Sequence, residues 1–573
     1  MRDGFPIRRV VSITLGLSLV FPSGGWAANS GSAMNNGRPI DNIKGGEEFI
    51  QAERGKRNPW DEPAPNSPVL HHGHPGKVGM IKGSLDAIDP FMEDAVAKET
   101  TPGAVVLVAR SGVVAKEKAY GKAAKYKDDQ KTPLEQPVAM KKDTIFDIAS
   151  ISKIFTATVV MKLYEEGRFQ LDDPVARYLP EFAQNGKENV TIRQLLTHTS
   201  GFEPGIPLWK MGSNRKERIQ IVLKHPLKNK PGSTYVYSDL NMITLGALVE
   251  KLTGKRLDEV IKQVITRPLK LKDTLYNPPA SLRERIAATE YQPVLNRGMV
   301  WGEVHDENAW SLDGVSGHAG LFSTAHDLAV FAQMLLNKGR YGGVRVLQPN
   351  TVALMEQNQN ADFSGHDHGL GWELNQPWYM DGLSGTESMG HTGFTGTSMV
   401  VSRSNATIAI TLTNRVHPTR ATSSINPLRR QVNRFVADGI PVKVPGRQQA
   451  WFAGYGDQLD RSLMSEELPL GENRTLTFDT WYRIEPGADY GVVEGSVDGQ
   501  TWSSLSPSLS GDSEGWGRQG ITLPNDVRYL RFRYHTNETG NERGWYVKHP
   551  VVKGQGKPSA LKLTGEGWVK RNR

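Results

Sequence analysis

The hydrophobic pattern of this chain changes period at Pro441-Val442-Lys443-Val444-Pro445-Gly446. Upstream, helical spacing is interleaved with short apolar runs. Downstream, Leu476, Phe478, Thr480, Tyr482 and Ile484 alternate with polar residues, and Leu530, Phe532 and Tyr534 alternate with Tyr529, Arg531 and Arg533. A period of two marks strands, and several strands separated by turn signals such as Asp498-Gly499 make a β-sandwich. The spacing therefore predicts an α+β region over residues 80–440 and an all-β accessory region with a polar tail over 441–573. With 573 residues, 38% of them hydrophobic, the chain has room for two or more cores.

The first region opens with Leu85, Ile88, Phe91, Met92 and Val96 at helical spacing. Gly103 to Ala109 reads as a buried strand, Ser111-Gly112 as a turn, and Val113 to Tyr120 as the hairpin partner. After Ser150, the residues Ile154, Ala157, Val160, Met161 and Tyr164 mark one helix face, and Gly167 is placed to end it. Strands at 398–402 and 408–413 precede a helix from about residue 425 to 438. This order fits an antiparallel sheet bearing helices, with a helical lobe inserted between its strands.

At the N-terminus, Arg8-Arg9 precede the apolar run Val10 to Phe21, and small residues lead to Gly25-Trp26-Ala27. This is the pattern of a signal peptide over residues 1–27, with secretion or cell-wall association as the expected location. The run is shorter than the roughly 20 residues a bilayer span needs, and no later segment is apolar enough to be transmembrane. Residues 28–79 are rich in Gly, Pro and Asn and read as a polar linker. His71, His72 and His74 at its end read as plain loop residues rather than metal ligands; neither metal nor cofactor is expected. The formal charge of +8 is spread along the chain without a dense basic block or a nucleic-acid-reading motif, so no nucleic acid is expected as a partner. The absence of cysteine excludes disulfides, thiolate catalysis and cysteine-ligated zinc.

Chemistry concentrates at Ser150-Ile151-Ser152-Lys153. A serine hydroxyl is a weak nucleophile that needs a nearby base and N–H donors for the developing oxyanion. At a helix start Ser150 gains from the positive end of the dipole, and Lys153 lies one turn further on the same face. Burial among apolar neighbours is expected to lower the lysine's pKa enough for it to accept a proton. Ser213–Lys216 and Ser559–Lys562 fit the same four-letter pattern, but both sit in polar surroundings. Tyr237-Ser238-Asp239 follows a Lys230-Pro231-Gly232 turn; a tyrosine beside an ammonium group can titrate low enough to act as a base, or can be a core tyrosine. Gly390-His391-Thr392-Gly393-Phe394 reads as an edge strand that a substrate backbone can approach, or as a turn.

Ser-x-x-Lys, Tyr-Ser-Asp and His-Thr-Gly in this order resemble the penicillin-recognising serine hydrolases, which include class C β-lactamases, D,D-carboxypeptidases and related esterases. The resemblance spans about Met80 to Gly439. It includes Leu195-Leu196-Thr197-His198-Thr199-Ser200-Gly201, Val304-His305-Asp306-Glu307-Asn308-Ala309 and Gly317-His318-Ala319-Gly320-Leu321-Phe322-Ser323. The last two look most like the branch containing penicillin-binding protein 4B and cell-wall-recycling amidases. The resemblance implies that Ser150 is acylated, Lys153 accepts or relays its proton, and Tyr237 is the partner base or acid. It further implies that the N–H groups of Ser150 and Phe394 form the oxyanion hole. Asp239, His391, Thr392 and Gly393 would then contact substrate, with His391 orienting its carboxylate or bonding the tyrosine. Asp239 stands where the family usually has Asn, and His391 where it usually has Lys; both changes reduce fixed positive charge. His198 and His318 are expected to be hydrogen-bonded structural residues.

Gly454-Tyr455-Gly456-Asp457, Tyr490 to Gly499 and Trp545-Tyr546-Val547 resemble the β-sandwich that follows the protease domain of immune inhibitor A-type metallopeptidases. Lys548-His549-Pro550 replaces the acidic residues usual there, and the chain has no His-Glu-x-x-His. The expected activity is amide or ester cleavage through an acyl-enzyme on Ser150, on peptidoglycan-type peptides by D,D-carboxypeptidase or amidase action. The rivals are a small-ester esterase, a weak β-lactamase, and a degenerate wall-binding protein. The all-β region would serve as a wall or glycan adhesion module or as a stabilising spacer.

Overall fold

The computed structural model describes residues 59–538, 540–554 and 558–572. The expected signal peptide and residues 28–58 of the expected linker lie outside the described residues. Eight strands form the main sheet. In chain order they are β1 (His71–His72), β2 (Gly103–Arg110), β3 (Val113–Tyr126), β4 (Pro133–Ala139), β5 (Glu373–Leu374), β6 (Ser388–Thr392), β7 (Ser398–Ser402) and β8 (Thr407–Thr413). Their spatial order is β1-β3-β2-β8-β7-β6-β5, with β4 on β3. All pairs are antiparallel except β1 with β3.

The continuous apolar run of β2 reflects burial on both faces of the sheet. Val105, Leu107 and Ala109 enter one core, while Ala104, Val106 and Val108 enter the other. The expected one-faced helix after Ser150 is instead buried all round. Every residue from Ser152 to Met161 of the helix Ser152–Glu165 is buried, because it packs against the helices Asp239–Thr253 and Leu257–Ile261 and, through Phe155, against the helix Ala325–Leu336. Its Phe155 stacks on Phe331 at 4.3 Å between ring centroids. Gly167, at φ 71°, ends it as expected.

The C-terminal region is all-β. One sheet carries Ala450–Phe452, Arg474–Ile484, Gly517–Leu523 and Gly544–Lys553; the other carries Asp460–Ser465, Tyr490–Ser496 and Tyr529–His535. Leu476, Phe478, Phe532 and Trp545 fill the space between them. The strand Arg474–Ile484 departs from simple alternation. Its pairing with Gly544–Lys553 slips between Thr477 and Asp479, and Thr480 and Trp481 are both buried. Trp481 and Tyr546 pack outward, into one core with Val436, Ile440 and Trp60.

Two expectations change here. The part of the expected linker that is described is packed rather than loose: Trp60 is buried, its backbone N–H donates to Pro441 O, and Asp61 accepts from the Trp481 indole at 3.2 Å. His71 and His72 are strand residues, and His74 Nδ1 accepts from Gly76 N. Of the tryptophans in the all-β region, Trp502 and Trp516 are half-buried. Trp481 and Trp545 are fully buried, Trp516 donates to Lys443 O, and the Arg531 guanidinium covers Trp502.

Among the described residues no helix is long and apolar enough to cross a membrane.

Candidate functional site

Ser150 sits in a 3-10 turn, Ala149–Ile151, that feeds directly into the helix Ser152–Glu165. Ala149 holds φ at 46°, a left-handed conformation that costs a non-glycine residue of order 1–3 kcal/mol. The Asp147 carboxylate supports it by accepting from Ala149 N at 2.8 Å. The same side chain accepts from His305 N at 2.7 Å, and its backbone carbonyl accepts from Thr395 Oγ1. Asp147 thus ties the serine turn to two loops distant in sequence. Burial pushes its carboxyl upward, against the opposing pull of the His305 amide. The sequence reading overlooked this residue.

Lys153 projects from the helix one turn on. Its Nζ donates to Ser150 Oγ at 2.7 Å and to His318 O at 3.2 Å, and lies 2.9 Å from Asp239 Oδ1. Three acceptors match the three protons of an ammonium group. Burial alone would depress its pKa, but Asp239 and Tyr237 outweigh that and hold it above the ordinary lysine value. The expectation that burial would free this lysine of its proton is therefore corrected: the carboxylate at position 239 reverses the sign.

Tyr237 and Asp239 flank Ser238, the N-cap of the helix Asp239–Thr253, whose Oγ accepts from Leu240 N. The Tyr237 ring lies 4.8 Å from Lys153 Nζ. Burial lifts the phenol to about 12; Lys153 opposes this, and Asp239 and Glu373 reinforce it. The expectation of a low-titrating tyrosine is corrected for the same reason. The His198 ring lies 4.7 Å from the Tyr237 ring, tilted by 38°, and its Nδ1 accepts from Ser238 N. His318 is bonded on both nitrogens, to Ser316 and Asp306. Both imidazoles hold structure, His198 positioning Tyr237 and His318 anchoring the loop whose carbonyl meets Lys153.

The third motif lies on β6, where His391 pairs with Met399 and its ring is 6.0 Å from Tyr237. Burial, then Lys153, lowers the His391 imidazole to about 3, so it is neutral at physiological pH. Thr392 ends the strand. Gly393 has no space for a side chain: a Cβ there would meet Thr397 Oγ1 at 2.1 Å and Ile148 O at 2.5 Å. The Phe394 amide donates no hydrogen bond among the described residues, while its ring is 49% exposed at the edge of the site.

The fold thus gathers Ser150, Lys153, Tyr237, Asp239 and His391 into one cluster, with the 392–394 turn packed against the serine turn. The two decoys differ. Ser213 precedes the exposed start of the helix Arg215–Lys224. Lys562 is 80% exposed and paired with Glu466.

The third-motif strand is not the sheet edge expected from the sequence, because β5 pairs with its Met389 and Gly390. A serine turn, a buried lysine, a tyrosine just before a helix start and the adjacent strand β6 on a helix-covered antiparallel sheet define a serine hydrolase of the β-lactamase/D,D-peptidase type. Residues 87–434 match the family described as Beta-lactamase, and the chain belongs to that family. A protein of Salmonella agona (strain SL483) described as "Putative D-alanyl-D-alanine carboxypeptidase" is 34% identical over 410 residues, covering 66% of this chain and 92% of the relative. Its Escherichia coli (strain K12) counterpart, of the same description, is 33% identical with the same coverage. The solved structure of EstCE1, a hydrolase with promiscuous acyltransferase activity, is 24% identical with a TM-score of 0.49, covering 62% of this chain and 99% of that one.

Proposed function

We propose that this protein is a secreted D,D-peptidase-type enzyme that acylates Ser150 with a peptide ending in a D-amino acid and releases that residue. The 2.7 Å contact between Lys153 Nζ and Ser150 Oγ carries the reading; the naming of the relatives supports the substrate class. Once the Lys153–Tyr237 pair has given up one proton to solvent, Ser150 Oγ attacks the scissile carbonyl and its own proton passes to that pair. The carbonyl oxygen gathers charge against the Ser150 and Phe394 amides. The proton then moves to the leaving nitrogen as the C–N bond breaks, and water hydrolyses the ester by the reverse relay. Asp239 and His391 line the cleft, and Thr392 and Gly393 let an extended substrate lie along β6. The N-terminal charge and apolar pattern supports export, and a peptidoglycan-type peptide is the substrate expected outside the cell.

The test is turnover of acyl-D-alanyl-D-alanine peptides, disaccharide-linked muropeptides, nitrophenyl esters and a chromogenic cephalosporin side by side. Release of D-alanine at the highest kcat/KM is the expected result. Preferential ester or lactam turnover would reassign the substrate, and strong wall binding without turnover would contradict the enzymatic reading.

A further inference from the structure

The turn that carries the Phe394 amide is closed from within and held from behind. Gly393 N donates to Thr397 O at 2.8 Å, and Gly396 N donates to Gly393 O at 3.0 Å. Each of those carbonyls has a second partner. Arg429 Nη2 donates to Gly393 O and to Thr397 O, both at 2.8 Å. Its Nη1 donates to Asn426 Oδ1 at 2.8 Å, at the start of the helix Asn426–Asp438 that bears it.

This side chain is buried and makes no ion pair among the described residues. Its Nε has no hydrogen-bond partner there, and neither has Oε2 of the nearby Glu373. Burial, then Arg415, lowers the Arg429 pKa to about 9, with Glu373 opposing, so the guanidinium is a cation at physiological pH. A buried cation held by carbonyls alone is costly, and an apolar side chain of similar volume would fill the space at less cost.

The charge has a use in the peptide it touches. Gly393 O and the Phe394 N–H belong to one peptide unit. Donation from a cation at the carbonyl end polarises that unit and strengthens its N–H as a donor. An oxyanion on that N–H would lie one peptide and two hydrogen bonds from Arg429, roughly 8 Å.

We propose that Arg429 is a positioning residue of the oxyanion hole, acting from behind the sheet through the Gly393–Phe394 peptide. It holds that N–H in place and adds the field of a buried cation to it. This rests on the reading of Ser150 as nucleophile and of the Phe394 amide as oxyanion donor. Arg429 acts on the carbonyl under attack and on no other part of the substrate, so esters and amides gain alike. Attraction between unit charges at about 8 Å, with an effective dielectric of about 20, is worth roughly 30-fold in rate.

The test compares the full chain with Arg429→Met, Arg429→Gln and Arg429→Lys in pre-steady-state kinetics on an uncharged nitrophenyl ester, which separate the acylation rate constant from substrate binding. Arg429→Met should acylate about 30-fold more slowly with its binding constant unchanged. Arg429→Lys keeps the charge and should recover part of the rate; Arg429→Gln keeps a donor without charge and should not. If Arg429→Met does not fold, the difference between the Lys and Gln variants decides alone. Equal rates in those two, an unchanged rate in Arg429→Met, or a loss confined to binding would overturn the proposal. Failure of the unaltered protein to form the acyl-enzyme, or undiminished turnover by Ser150→Ala, would remove the nucleophile reading instead.

Discussion

The Asp239 carboxylate lies 2.9 Å from the Lys153 ammonium that donates to the candidate nucleophile. It holds the lysine protonated and helps to lift Tyr237 to about 12. The resting site therefore carries one proton more than a general base can use, and the Lys153–Tyr237 pair must lose it before Ser150 can attack.

Asp239→Asn should relieve this. Without the anion both the lysine and the tyrosine fall in pKa, so the active protonation state appears at lower pH. The acid limb of the kcat/KM profile should move down by about one unit or more. A limb that stays in place or moves up would show that this carboxylate does not set the proton inventory.

Gly393→Ala should slow turnover strongly without unfolding the protein. The added Cβ collides with Thr397 Oγ1 and Ile148 O, so the turn presenting the Phe394 amide must shift. Loss of one oxyanion donor costs about 100- to 1,000-fold in kcat. Single-turnover kinetics on a nitrophenyl ester, with circular dichroism as the folding control, measures it.

In the C-terminal region, burial lifts the Glu542 carboxyl to about 8, with Arg483 opposing and neighbouring carboxylates reinforcing. Its folded pKa exceeds the unfolded value near 4.3. The folded state therefore binds the extra proton between those values, and stability falls as pH rises through that window by about 1.4 kcal/mol per unit. Glu542→Gln mimics the protonated form, so its gain in melting temperature over the unaltered protein should grow from pH 5 to about 8 and then level off. A gain that is constant with pH would contradict the shift.

Trp481→Ala should destabilise the hydrolase region as well as the sandwich. Its indole shares a core with Trp60, Val436 and Ile440, and a large-to-small change at such a site costs about 3–5 kcal/mol. Thermal inactivation of esterase activity should follow the global melting curve to lower temperature. Inactivation that ignores the substitution would mean the two regions melt independently.

Much of the architecture was legible because it is local. The strand at 398–402 matches its expected bounds, and the helix expected over about 425–438 is Asn426–Asp438. Both depend on the period of neighbouring side chains. The three motifs were legible as a set because their order and chemistry are written in the chain. What was hidden depends on distant partners. Asp147 looks ordinary until His305 and Thr395 fold onto it. Trp60 sits in a Pro-rich polar stretch and gives no sign that it will share a core with Trp481 and donate its backbone N–H to Pro441 O. The protonation of Lys153 was misjudged because periodicity reveals burial but not the carboxylate that arrives from residue 239.

The central claim is that Ser150 is the residue acylated. Intact-protein and peptide mass spectrometry after treatment with a fluorophosphonate tests it most directly. One adduct, mapped to Ser150 and absent from Ser150→Ala, is the predicted result. Undiminished labelling of Ser150→Ala, or an adduct on any other serine, would contradict the account.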